Sequence, residues 1–214
     1  VGGVGVATAI SNDGTALLAS GAGADATSVH AGSIGVKATS GENIVNIGVA
    51  GSAAGTNAIA GVLTPLVEVL NVSAKVGDHA ALKAASGDLK VEASDATTLL
   101  NVGGVLAIGG EIGVGGTVAA SVITNKVTAT IGQDAAIDAA GAVSVLATET
   151  ESIKNIVVAG SASGEVAVSV AVGATVITDN TQASIGAGAV IGSAIRPAAL
   201  TIKATDDTGI LDIA

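Results

Sequence analysis

Every 54 to 57 residues this chain returns to the same short phrase, and no other feature restricts its folding as much. "VKATS" begins at Val36, "VEASD" at Val91, "VLATE" at Val145 and "IKATD" at Ile202, at intervals of 55, 54 and 57 residues. Other landmarks keep step: "NIGVAGSAAG" from Asn46, "NVGGVLAIGG" from Asn101 and "NIVVAGSASG" from Asn155. The chain therefore divides into a partial unit 1–35, units 36–90, 91–144 and 145–201, and a partial unit 202–214, all within one segment, 1–214. Both ends fall inside units, so the chain reads as a window on a longer array. The surplus residues sit in "GAGADATSVHAGS" and "GAGAVIGSAIRPAAL". Insertions confined to one part of a unit belong to loops on one side of a repeat structure.

Within a unit the period is two. In "GEVAVSVAVGATVITDN", residues 164–180, Val166, Val168, Val170, Val172 and Val176 share one parity, and small residues hold the other. Alternation of this kind is the signature of a strand. Interior Gly and Val argue against a helix, and no helical stripe runs through the chain. Each unit reads as a short VxAT strand, an acidic turn ("SGEN", "SDAT", "ETES", "DDTG"), a second strand, a Gly-containing turn and a long third strand. The first unit carries Pro65 and Glu68 where its siblings continue the strand, which predicts a bulge or kink there.

Such a chain folds most simply as an all-β parallel β-solenoid, or β-helix, of stacked repeats of about 55 residues. Twelve extended residues cover about 40 Å, too long for a face of a small triangular coil, so one large flattened coil per repeat is favoured over three small ones. Successive coils lie about 4.8 Å apart, and equivalent residues form columns. Asn46, Asn101, Asn155 and Asp212 should make one column, with amides bonding along the axis. The Val parity is expected to face the interior. The small-residue parity is then a surface for another sheet or chain.

Composition narrows the function. The chain has no aromatic residue, Cys or Met, has 31 Gly, and carries a formal net charge of −10. That charge argues against nucleic acid or anionic lipid as a partner. A mean hydropathy of +0.71 argues against disorder. Without Trp or Tyr to line a bilayer interface, membrane insertion is not expected. His30 and His79 occupy non-equivalent positions, Arg196 is the sole arginine, and no hydrolase elbow, zinc-protease or P-loop motif is present. "GAGADA" at 21–26 has the wrong last residue for a dinucleotide loop, and "NVS" at 71–73 is an isolated glycosylation sequon. The expectation is a protein that is not an enzyme, with no cofactor.

One cluster invites metal. The stretch after each VxAT strand is acidic, with Glu42, Asp95, Glu149, Glu151, Asp206 and Asp207 as candidate Ca²⁺ ligands. The competing reading is a solvated charged corner that keeps the stack soluble. Thr39, Thr148 and Thr205 align in a column of the sort that orders water on ice-binding solenoids, but Ser94 interrupts it.

The repeated stretches "NIVVAGSASGEVAVSVAVGATVITDNTQASIGAGAVI" and "NVGGVLAIGGEIGVGGTVAASVITNKVTATIGQDAAI" resemble the stalk of large bacterial filamentous surface adhesins of the leukotoxin-like and haemagglutinin-like group. That resemblance covers essentially the whole chain. It implies an extracellular, cell-surface location and the role of a structural shaft in a fibre or giant adhesin. It also implies self-association into filaments or lateral bundles, with any host or cell-surface target held by regions outside these residues. The alternative is a non-catalytic ligand-binding solenoid for ice or surface glycan.

Overall fold

The computed structural model describes residues 3–7, 15–18 and 28–214. The "GAGADA" stretch lies outside the described residues. The strands are β1 (Gly3–Ala7), β2 (Thr15–Leu18), β3 (Ser28–Thr39), β4 (Glu42–Ala54), β5 (Asn57–Val76), β6 (Ala81–Ala84), β7 (Leu89–Gly109), β8 (Ile112–Ile131), β9 (Ala136–Ala139), β10 (Ala142–Ala162), β11 (Val166–Ile185), β12 (Val190–Ile191) and β13 (Ala199–Ile213). Among the described residues no helix is long and apolar enough to cross a membrane.

The fold is an all-β parallel solenoid. Among the described residues every strand pairing is parallel, and register follows the sequence repeat: Asn46 lies beside Asn101, Asn101 beside Asn155, and Asn155 beside Asp212. Each repeat makes one coil. β7 runs out for 21 residues, Gly110 and Glu111 turn the chain, and β8 returns for 20. At about 3.3 Å per residue the coil is about 70 Å long. One sheet stacks β4/β7/β10/β13 and the other β5/β8/β11, face to face. The short strands β6, β9 and β12 form a narrow third side, in the stretch where the varying unit length predicts loop. At the corner before that side, His79, Asp134 and Gly188 occupy one turn position in successive coils with φ of 57°, 52° and 72°. Left-handed backbone recurs at that corner, and glycine adopts it without steric penalty.

Three local expectations are overturned. The acidic stretches are not turns in the later coils: β7 passes straight through Ser94–Thr97 and β10 through Thr148–Glu151. Only Ser40 and Gly41 interrupt the first. Period-two alternation continues unbroken there, with Ala93, Asp95, Thr97 and Leu99 all inward. Polarity alone had suggested a break.

Pro65 and Glu68 cause no bulge. Pro65 sits opposite Ala120 and Glu68 opposite Ile123 in an unbroken register. Pro65 points outward, and no described strand lies on its other side to want its missing N–H.

The third correction concerns the valines. Val166, Val168, Val170, Val172 and Val176 face outward, 45–56% exposed. This is not merely an effect of the last coil, because their mid-stack partners Val118 and Val122 are also about 40% exposed. Gly113, Gly115, Thr117, Ala119 and Ser121 are the buried parity of β8. The tight Gly110–Glu111 turn brings the two sheets very close. A Cβ on Gly115 would lie 2.7 Å from the Gly160 carbonyl oxygen, and one on Gly113 would lie 2.6 Å from that of Ala162. Only small residues fit between such backbones. The flat partner of the small-residue face is thus the opposite sheet of the same solenoid.

The other half of the coil is conventional. Leu89, Val91, Val127, Ile131, Ile137, Val143 and Val145 form a dry core and are each 0% exposed. Lys90, Glu92 and Lys126 hold outward positions.

Candidate functional site: a buried carboxylate layer

The interior changes character along the coil. From the tip inward there is a zone of glycine, alanine and valine, then a rung of Asn, Ser and Thr. A thin apolar layer of Leu99, Ile123 and Ile153 comes next. Carboxylates follow, and beyond them lies the dry core. The acidic side chains are therefore held between two apolar layers.

Strand alternation selects which acids enter. Asp95 and Glu149 are register partners, with Asp206 next in that column. Glu42, Thr97, Glu151 and Thr208 form the adjacent inward column. From the opposite sheet Glu68 and Asp179 enter the same layer, one from β5 and one from β11. Asp95 is 3% exposed, Glu68 7%, Glu149 0% and Glu151 3%. Asp207 pairs with Thr150, belongs to the outward parity and takes no part. A solvated corner is therefore excluded for Asp95, Glu149 and Glu151. Glu42 and Asp179 are half-buried, and Asp206 is exposed on the final coil.

Hydrogen bonds satisfy only part of this layer. Thr97 Oγ1 donates to Asp95 Oδ2 at 3.1 Å and reaches Glu68 Oε1 at 3.5 Å. Asn125 Nδ2 donates to Glu151 Oε1, and Thr181 Oγ1 to Glu149 Oε2. One oxygen on each of Glu68, Asp95, Glu149, Glu151 and Asp179 remains without a partner. Among the described residues the side-chain ion pairs, Lys75–Asp78, Lys90–Asp88 and His79–Asp134, all lie on the outer surface, and none reaches the layer.

Electrostatics follow from that enclosure. Burial, then Glu42 and Asp95, push Glu68 up to about 8. Burial, then Asp179 and Glu149, push Glu151 up to about 8. Asp179 is raised to about 6 by burial, Glu149 and Asp206. Burial also raises Glu149 and Asp95, against hydrogen bonds from Thr181 and Asn125 to the first and from Thr97 to the second. Charge in low dielectric is expensive, and neighbouring like charges add to the cost.

Of the six acids the repeat points to, Glu42, Asp95, Glu149, Glu151 and Asp206 belong to the inward columns and Asp207 does not, whereas Glu68 and Asp179 are not among the six. Both share the parity of the Ser121 column along β5 and β11, which only the structure shows to be the inward one.

The Asn column is in register, but its bonding differs from expectation. Asn101 and Asn155 are 0% exposed, and their amides do not bond to one another. Asn101 Nδ2 donates across to the Thr64 carbonyl at 3.1 Å and to Ser121 Oγ at 3.3 Å. Ser121 donates up to Asn155, Asn155 donates to Thr175, and Thr175 Oγ1 donates to Asp212 Oδ1 at 2.9 Å. The sheets are close enough for a zigzag between them, which competes successfully with bonding along the column.

On the outer face Thr39, Ser94, Thr148 and Thr205 align, with Ser94 Oγ donating to Thr39 Oγ1 at 3.4 Å. A shallow depression there is lined by Lys37, Glu92, Ser94, Leu146 and Thr148. No family model, curated protein or solved structure matches this chain.

Proposed function

We propose that the chain is part of the structural shaft of an extracellular fibre or surface adhesin, as its resemblance to filamentous adhesins implies. The observation that carries this is the continuous in-register parallel stack, in which each repeat adds one coil of the same register to the one before it. In this reading function is carried by length and surface.

Growth is slow for each residue used. One repeat adds about 4.8 Å of height to a coil about 70 Å long, so a rod longer than it is wide needs roughly fifteen repeats. Chains extended by whole copies of residues 91–144 should appear in electron micrographs as plates that thicken with repeat number and become rods. Globular particles whose shape does not track repeat number would overturn the reading.

Lateral association fits the same role through a different face from the one expected. In the middle coil Leu106 and Ile108 on one side and Val118 and Val122 on the other are 39–51% exposed. Contiguous apolar surface of this kind marks an interaction site, and copies of the shaft packed side by side would cover it.

A further inference from the structure

We propose that Glu149, Glu151 and Asp179 form an interior Ca²⁺ site, which locks the two sheets of the solenoid together through their carboxylates. The three reach one point from both sheets, Glu149 and Glu151 on β10 and Asp179 on β11. One oxygen from each lies within 4.8 Å of the others. Ligands on opposite sides of a Ca²⁺ ion, at 2.3–2.6 Å each, stand about 4.6–5.2 Å apart, so the oxygens fit one coordination shell.

Burial supplies an observation independent of that clustering. Glu149 is 0% and Glu151 3% exposed, and Glu149 Oε1, Glu151 Oε2 and Asp179 Oδ1 each lack a hydrogen-bond partner. The Asn125 side-chain oxygen beside them is also unpartnered. Buried acceptors normally find donors, and each one left unmet costs free energy. No Lys or Arg among the described residues makes an ion pair with the layer. Four acceptor oxygens and no cationic side chain call for a hard cation from outside. An all-oxygen donor set suits Ca²⁺. Mg²⁺ retains several of its waters, and the Leu99–Ile123–Ile153 layer on one side and the dry core on the other leave little room for them across the coil. Protons are the competing occupant, and the experiment separates the two.

The site stands independently of the shaft reading, because a cross-sheet clamp would serve any solenoid of this design. The test uses the full chain, stripped with chelator and titrated with CaCl₂ in a calorimeter at neutral pH. Thermal unfolding is followed by circular dichroism, as the chain has no aromatic chromophore. One Ca²⁺ per chain should bind, and Ca²⁺ at about a hundred times its dissociation constant should raise the midpoint by roughly 5–10 °C. Glu151→Gln should abolish that rise, whereas Glu165→Gln at the exposed tip should retain it. Asp179→Asn, on the open final coil, replaces the first variant if that one does not fold. Absence of binding heat with an unchanged midpoint would overturn the proposal and leave protonated carboxyls in the layer. An equal rise with MgCl₂, or a full rise in the Glu151→Gln protein, would also overturn it.

Discussion

Ser121 Oγ donates a 3.0 Å hydrogen bond to Oδ1 of Asn155 while accepting one at 3.3 Å from Nδ2 of Asn101. One hydroxyl thus joins two coils and two sheets inside an interior from which water is excluded. The rung lies next to the small-residue zone, where the sheets are too close for large side chains and where dispersion between bulky groups contributes little. Hydrogen bonding between the sheets specifies their alignment there instead.

Replacing Ser121 by Ala removes both roles of the hydroxyl and adds no bulk to the narrow gap. The two asparagines then lose a buried partner each, at a cost of about 1–3 kcal/mol per unsatisfied group. A lower urea midpoint with an unchanged slope is the expected result. Retention of the wild-type midpoint would show that the zigzag contributes nothing to stability.

Gly115 tests how close the sheets are. Gly115→Val places branched carbons against the Gly160 carbonyl, where even a Cβ would lie at 2.7 Å. Overpacking of this kind costs about 1–3 kcal/mol or more. Val118→Thr, three residues along β8 and outward, should change stability by less than about 0.5 kcal/mol. Thermal unfolding of the two variants compares the faces directly. A tolerant Gly115 with a sensitive Val118 would mean that the faces are reversed.

The carboxylate layer makes stability pH-dependent in the absence of divalent cations. Glu68 and Glu151 are raised to about 8 in the fold from an ordinary value near 4.5. The unfolded chain releases these protons first as pH rises, so the native state then binds more protons and stability falls. In chelator, stability should be full below about pH 4.5 and decline through about pH 8, by an amount on the order of a few kcal/mol. Glu68→Gln should flatten part of that decline and raise the midpoint at pH 8. Stability that increases from pH 5 to pH 8 in chelator would contradict the desolvated layer.

Exposed valines predict association. Sedimentation velocity of the wild-type chain should show self-association that increases with concentration. Val118→Lys with Val122→Lys should suppress it without loss of strand signal in circular dichroism. If the wild-type chain instead remains monomeric and floats with phosphatidylcholine vesicles, the outer faces serve a lipid surface and lateral bundling is wrong.

Much of the fold was legible because repetition is a property of sequence. Pairing of Asn101 with Asn155, and of Val91 with Val145, follows from the spacing of like residues, since a parallel stack sets equals beside equals. Length of alternation likewise pointed to one large coil. The carboxylate layer was only half legible. Glu149 and Asp95 belonged to a recurring phrase, whereas Glu68 and Asp179 occur once each, on strands that reach the layer from the opposite sheet.

Which parity turned inward was not legible at all. Alternation shows that a strand has two unlike faces, and hydrophobicity would bury the valines. That preference was outweighed in the tip half by a distance, the narrow gap set by a two-residue turn at Gly110–Glu111 and measured at Gly115. The amino-acid sequence by itself determined the repeat, the strand period and the coil-to-coil register, all of which depend on order along the chain. Only the tertiary structure decided the spacing between sheets. With it came the small interior, the outward valines and the enclosure of the acids, because excluded volume acts between segments that meet only after folding.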